Sequence, residues 1–82
     1  MKVLIADDDA LSRKVLEDCL SEWGYHIVMA NNGHEAWSIL EKSDRPNMVV
    51  LDWMMPGMDG VEICRKLRGL NLPNYVYVIL LT

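Results

Sequence analysis

Four short apolar runs alternate with three segments of helical periodicity, and this alternation constrains the fold more than any other feature of the chain. The runs occupy residues 2–6, 25–30, 48–51 and 75–81. Between them, apolar residues recur every three or four positions, which is typical of helices that bury one face. Consecutive strands joined by helical crossovers run parallel. The sequence therefore predicts an α/β fold, a doubly wound parallel sheet of four strands and three helices.

Capping signals mark where the helices begin, and glycines mark where two of them end. Asp9 precedes the first helical segment, while Asn32 and Asp59, each followed three residues later by a glutamate, precede the second and third. This spacing is that of a capping box, in which two side chains satisfy free N–H groups of the first turn. Gly24 and Gly69 are expected to end the first and third helices.

The composition is that of one globular domain and excludes several other classes of protein. The chain has 82 residues, 51% of them hydrophobic, and a net charge of −4, which gives no general attraction to nucleic acid or to an anionic membrane. No apolar run is long enough to span a bilayer. Cys19 and Cys64 fall within apolar helical patterns, so both are expected to be small buried side chains. His26 and His34 are not spaced as metal ligands and are expected at the surface or in caps. We therefore expect a cytoplasmic protein.

Acidic side chains follow two of the predicted strands, and a hydroxyl follows a third. Asp7 and Asp8 come directly after the first strand, Asp52 after the third, and Thr82 after the fourth. Because parallel strands end at one edge of the sheet, these oxygen atoms are expected to line a single cleft. Mg²⁺ prefers such ligands and leaves coordination positions open for a phosphate oxygen. The sequence thus predicts a magnesium site at which Asp52 attacks a phosphoryl group as a nucleophile.

These motifs resemble those of the receiver domains of two-component response regulators. The resemblance is carried by Ala6-Asp7-Asp8-Asp9, by Leu51-Asp52-Trp53-Met54-Met55-Pro56-Gly57-Met58-Asp59-Gly60 and by Leu80-Leu81-Thr82. It covers the whole chain, and the three motifs occur in the family order with similar spacing. The resemblance implies a flavodoxin-like sheet with its strands in the order 2-1-3-4.

The resemblance also implies a role for each residue of the site. Asp52 would be the phosphoacceptor, supplied by a histidine kinase or a phosphotransfer protein. Asp8, Asp52 and the backbone carbonyl of Met54 would bind Mg²⁺, with Asp7 acting mainly through a metal-bound water. Thr82 would hydrogen-bond the phosphoryl group and move when it arrives, shifting the conformation that regulates an output. Such a domain is a signalling module and not an enzyme, apart from slow self-dephosphorylation.

Receiver domains continue beyond the position of Thr82 with further elements and with a lysine that pairs with the phosphoryl group. Residues 1–82 are therefore expected to be the N-terminal part of a single receiver domain, impaired in phosphorylation. The fourth strand, with Val76, Val78 and Leu80, would then be an exposed apolar edge. We expect this edge to produce self-association or an exchange of elements between copies.

Two other functions fit parts of the sequence. A phosphatase resembling the haloacid dehalogenase family would take its nucleophile from the Asp7-Asp8-Asp9 run and use Thr82 as a later hydroxyl, but the turn after Asp52 would then have no purpose. A phosphorylation-independent interaction module would bind partners through its exposed edge. The aspartate that forms an acyl phosphate distinguishes the first alternative, and a response of Trp53 fluorescence to Mg²⁺ distinguishes the second.

Overall fold

The computed structural model describes residues 1–72 and 74–81, and in them strands and helices alternate as predicted. The elements are β1 (Lys2–Ala6), α1 (Ala10–Glu22), β2 (His26–Ala30), α2 (Gly33–Leu40), β3 (Met48–Asp52), α3 (Gly60–Arg68) and β4 (Tyr77–Leu81). Two strands begin later than their apolar runs. The N–H of Tyr25 donates to the carbonyl of Leu20, so Tyr25 belongs to the turn that follows α1 and not to β2. The fourth strand begins at Tyr77, whose N–H donates to the carbonyl of Asn47. No helix in these residues is long and apolar enough to cross a membrane.

The four strands form one parallel sheet in the order β2-β1-β3-β4, which confirms the predicted flavodoxin-like topology. The chain leaves β1 toward one edge of the sheet and leaves β3 toward the other. In open α/β sheets this reversal opens a crevice at the carboxyl ends of the two central strands. The register pairs Ala6 with Leu51 and Asp52 with Leu81, so the ends of β1, β3 and β4 lie level with one another.

Helices cover both faces of the sheet, but unequally. α2 and α3 bury one face in the main core, whose largest members are Leu4, Leu40, Leu51, Ile63 and Leu67. On the other face α1 covers a smaller cluster of Val3, Ile5 and Val50, against which its Leu16 and Leu20 pack. The predicted doubly wound arrangement is therefore present, with most of the buried apolar surface on the α2–α3 side.

α1 is more exposed than its apolar pattern predicts, because it packs over β1 and β2 and does not cover the half of that sheet face formed by β3 and β4. Leu11 is 72% exposed and Val15 54% exposed, and no residue of α1 is fully buried. The expectation that both cysteines are buried is wrong: Cys19 is exposed, since only the Leu16–Leu20 side of α1 meets the sheet, and Cys64 is half-buried.

Candidate functional site: an acidic cleft at the carboxyl ends of the strands

Two aspartates follow β1 at the edge of the sheet, and they differ in burial and in hydrogen bonding. Asp7 is buried, at 6% exposure, while Asp8 is exposed. The N–H of Asp7 donates to the carbonyl of Ala30 at 3.3 Å, and Oδ1 of Asp7 accepts from the N–H of Asp9 at 2.9 Å. One carboxylate is therefore anchored in the turn, and its neighbour remains open to solvent.

Asp9, the third aspartate of the run, caps the N-terminus of α1 and is not part of the acidic cluster. Its Oδ2 accepts from the N–H of Ser12 at 3.2 Å and from the Ser12 hydroxyl at 2.8 Å, which confirms the predicted N-cap. These hydrogen bonds to the ionised form, the side-chain bond first, lower the pKa of the Asp9 carboxyl.

Arg13 supports the same turn, although its sequence position placed it on the polar outer face of α1. Its Nη1 donates to the backbone carbonyl of Asp7 at 2.7 Å, and the residue is half-buried. A guanidinium one turn into the helix can reach back to the preceding loop, but nothing in the sequence pattern distinguishes it from a solvated arginine. The structure therefore adds Arg13 as a residue that holds the Asp7 backbone.

Asp52 is the last residue of β3, and a tight loop closes directly behind it. The N–H of Trp53 donates to the carbonyl of Leu81 at 2.9 Å, and the N–H of Gly60 donates to the carbonyl of Trp53 at 3.0 Å. A Cβ built on Gly60 would lie 2.7 Å from the carbonyl oxygen of Asp52, so only glycine permits this closure. The loop and the β4 end thus hold the backbone on either side of the carboxylate.

The side chains of Asp7, Asp8 and Asp52 converge as predicted. Each offers one carboxylate oxygen, and these atoms all lie within 4.8 Å of one another. Burial, and then the charges of Asp7 and Asp8, raise the pKa of Asp52, against the opposing effect of the N–H groups of Trp53 and Met54. An oxygen-only donor set with concentrated negative charge fits a hard divalent cation such as Mg²⁺.

The cluster opens into a cleft of about 520 Å³ between the strand ends and α1. Its polar lining is formed by Asp7, Asp8, Asp9, Ser12 and Asp52. The apolar lining comprises Leu11, Val15, Leu16 and Leu81. The helical pattern suggested core positions for the α1 members, whereas the structure places them as a wall beside the acids. The cleft therefore combines an acidic cluster, an apolar lining and room for a ligand.

The predicted roles of two site residues, Met54 and Thr82, are not tested by any contact of the described residues. Met54 follows Asp52 by two positions, and its side chain is 76% exposed, as expected for a residue at the mouth of the site. The role of its backbone carbonyl stays a prediction. Thr82 lies outside the described residues, so its role also stays a prediction, although β4 ends at Leu81 on the cleft wall.

The parallel sheet, its topological switch point and the acid cluster at that point define a class of protein: flavodoxin-like domains that carry a carboxylate site at the carboxyl ends of β1 and β3. The family model for the response regulator receiver domain matches residues 3–82. The chain belongs to this family. Receiver domains are signalling modules of two-component systems and interact with histidine kinases or phosphotransfer proteins.

Individual relatives agree with this assignment. The response regulator MprA of Mycolicibacterium vanbaalenii is 47% identical over 78 residues, which are 93% of this chain and 33% of that protein. The receiver domain of a signal transduction histidine kinase from Syntrophus aciditrophicus superposes with a TM-score of 0.87 at 37% identity, covering 99% of this chain and 61% of that one. TrrA from Thermotoga maritima, solved in complex with Mg(2+)-BeF, has a TM-score of 0.77 at 35% identity, with coverages of 83% and 58%. The chain thus spans about a third of the length of the curated relatives it matches.

Proposed function

We propose that Asp52 accepts a phosphoryl group from a phosphohistidine of a histidine kinase or phosphotransfer protein, and that this modification regulates an output. The observation that carries the proposal is the convergence of Asp7, Asp8 and Asp52 on an open cleft at the topological switch point. Membership of the receiver family supplies the class of donor. A cytoplasmic location, where such donors present their phosphohistidines, is part of the same proposal.

Asp52 is better placed than Asp7 to act as the nucleophile, and the family resemblance favours it over Asp8. Asp7 is buried and already accepts the N–H of Asp9, whereas Asp52 ends its strand at the cleft. In the transfer, a carboxylate oxygen of Asp52 forms a bond to phosphorus as the P–N bond of the phosphohistidine breaks. The bonding electron pair stays with the imidazole nitrogen, which takes up a proton.

Asp7, Asp8 and Asp52 would hold Mg²⁺, with the Met54 carbonyl as a further ligand. The oxygen-only donor set supports this assignment, and the solved complex of TrrA with Mg(2+)-BeF supports it by similarity. When bound, the cation supplies positive charge to the phosphoryl oxygens. The backbone beside Asp52 is held by the hydrogen bond from the N–H of Trp53 to the carbonyl of Leu81, which keeps the carboxylate at the cleft.

Phosphorylation is then expected to bias two conformations of the domain, with Thr82 hydrogen-bonding the phosphoryl group. Leu81 precedes this threonine, pairs in register with Asp52 and lines the cleft. A change at the phosphoryl site therefore has a short path to the end of β4. Slow loss of the phosphoryl group to water is the accompanying expectation.

Labelling with acetyl phosphate in the presence of Mg²⁺ tests the proposal. We expect partial addition of one phosphoryl group by mass spectrometry, in keeping with the impairment expected above, located on Asp52 by peptide mapping and lost in Asp52→Asn. Asp44→Asn, which removes an exposed acid remote from the cleft, is the matched control and should label normally. Modification of Asp7 in place of Asp52 would favour the phosphatase alternative, and no labelling in the unmodified chain would contradict the proposed function.

We further propose that copies of this chain self-associate through β4. The side chains expected at this edge, Val76, Val78 and Leu80, are not the exposed ones, because Val76 is 2% exposed and precedes β4, and all three pack into the main core on the α2–α3 side. In the described residues β4 is an edge of the sheet, and Tyr77 and Ile79 on its α1 side are 60% and 48% exposed. These residues pair in register with Met48 and Val50, so they continue an apolar face that α1 does not cover. A second copy that pairs along β4 would satisfy its free backbone groups and bury this surface.

Sedimentation velocity at micromolar concentration tests the association. We expect a dimer or larger species for the unmodified chain and a shift toward monomer for Ile79→Lys, because a charge at the edge opposes pairing. Glu41→Lys, an exposed change on the other side of the sheet, is the control. A stable monomer in the unmodified chain would contradict the proposal.

A further inference from the structure

The loop that follows Asp52 is fixed at both ends, and its outer corner is exposed. At one end the N–H of Gly60 donates to the carbonyl of Trp53, and at the other Asp59 caps α3 by accepting the N–H of Glu62 at 2.8 Å. Met55 and Met58 are buried in the main core. Between these anchors, Pro56 and Gly57 form an exposed corner. These two residues follow Met54 by two and three positions.

The first turn of α2 lies directly against this corner. The N–H of Gly33 donates to the carbonyl of Pro56 at 3.4 Å. A Cβ built on Gly33 would overlap the backbone carbonyl of Met58 and lie 2.8 Å from its Cβ, so the two backbones are in close contact. The first turn of α2 and the loop that follows Asp52 are therefore in direct main-chain contact.

His34 extends this contact to Gly57. A Cβ on Gly57 would lie 2.7 Å from Nε2 and 3.3 Å from Cγ of His34, so the imidazole covers the position where a side chain would be. Gly57 has φ of +85°, a left-handed conformation that glycine adopts at no steric cost. Because glycine is equally free to leave that conformation, a contact is needed to hold the turn, and the His34 ring provides one.

From these contacts we infer that His34 is a positioning residue for the phosphorylation site. Its ring limits the motion of Gly57 and so holds the segment that presents the Met54 carbonyl beside Asp52. Among the described residues, His34 is not one of those that line the acidic cleft, so its effect passes through the loop backbone. The part of this inference that concerns Mg²⁺ rests on the proposed function, whereas the part that concerns loop motion does not.

The test compares His34→Ala, which removes the ring, with His34→Phe, which keeps a ring without the imidazole nitrogens. Ser38→Ala, one turn further along the exposed side of α2, is the matched control. Two measurements are made by NMR on the full chain. Amide hydrogen exchange at Gly33 and Gly60, which donate to the loop carbonyls, reports loop motion without metal. Titration with MgCl₂, followed at the indole N–H of Trp53, reports metal affinity.

We expect His34→Ala to speed exchange at both amides and to weaken Mg²⁺ binding about tenfold, the low end for residues that orient metal ligands indirectly. His34→Phe and Ser38→Ala should stay within about twofold of the unmodified chain. Unchanged exchange and affinity in His34→Ala, or no rescue by phenylalanine, would overturn the inference. If the Trp53 resonance of the unmodified chain does not respond to MgCl₂, the proposed metal site is contradicted. Amide exchange would then be the only measurement that decides the role of His34.

Discussion

Asp7 directly follows β1 and Asp52 ends β3, its neighbour in the parallel sheet, and one carboxylate oxygen of each lies within 4.8 Å of the other. Folding therefore brings like charges together at the edge of the sheet. The consequence appears in Asp52, whose pKa is raised by burial first and by Asp7 and Asp8 next. In the chain without a bound cation, this arrangement opposes folding and favours any ligand that supplies positive charge.

Asp52→Asn should stabilise the metal-free chain at neutral pH. A raised pKa means that the folded state holds this proton to higher pH than the unfolded state does. The group therefore costs no stability below its ordinary pKa of 3.8, and the cost develops as pH rises from that value to the folded-state pKa and is complete above it. Thermal unfolding followed by circular dichroism should show a higher Tm for Asp52→Asn at about pH 7 and little difference at about pH 3. A variant less stable than the unmodified chain at neutral pH would contradict this expectation.

Mg²⁺ should raise the unfolding temperature of the unmodified chain. A ligand that binds only the folded state stabilises it by about 2.7 kcal/mol at 100 times its Kd. Asp8→Asn should abolish most of this gain with little effect on the metal-free chain, because Asp8 is exposed. Asp44→Asn should retain the full gain. Differential scanning calorimetry with and without MgCl₂ measures both effects, and equal gains in the two variants would count against the acid cluster as the binding site.

Gly33→Ala should destabilise the chain by about 2 kcal/mol or more, because the added methyl group overlaps the Met58 carbonyl and forces α2 and the loop apart. Gly69→Ala is the control. A Cβ there would lie 3.4 Å from the carbonyl oxygen of Lys66, and φ is −78°. Urea denaturation measures both, and the prediction fails where the two substitutions cost the same.

Asp59→Ala should cost about 1 kcal/mol through loss of the α3 N-cap, since its Oδ1 accepts the N–H of Glu62 at 2.8 Å. Asp59→Asn keeps an acceptor oxygen and should recover most of the stability. The cap also ends the loop after Asp52, so the exchange of the Gly60 amide should quicken in Asp59→Ala. Equal stability of the alanine and asparagine variants, measured by urea denaturation, would show that the cap contributes nothing.

Several features of the site could be predicted before the structure because they depend on chain-local signals. Strand order follows from the family resemblance, while Asp7, Asp8 and Asp52 follow from their place just after apolar runs. Caps at Asp9 and Asp59 follow from the spacing of side chains within one turn. Apart from the strand order, these inferences need only the neighbouring residues and the rule that parallel strands end together.

Other features depend on distances between elements that are far apart in sequence. The exposure of Cys19 follows from where α1 sits over the sheet, and the reach of Arg13 to Asp7 follows from the angle at which α1 leaves β1. The helical pattern is the same whether or not a facing strand lies beneath it. Burial of these side chains therefore had to be read from the packed structure.

By itself, the sequence determined that a carboxylate would stand at the end of β3 with two others near it, because turn residues and apolar periodicity act over a few positions. Only the tertiary structure decided what holds that carboxylate in place. The contact of His34 with Gly57 and of Gly33 with Met58 joins segments more than twenty residues apart. Such contacts arise from how the sheet, α2 and the loop pack together, and no local signal encodes them.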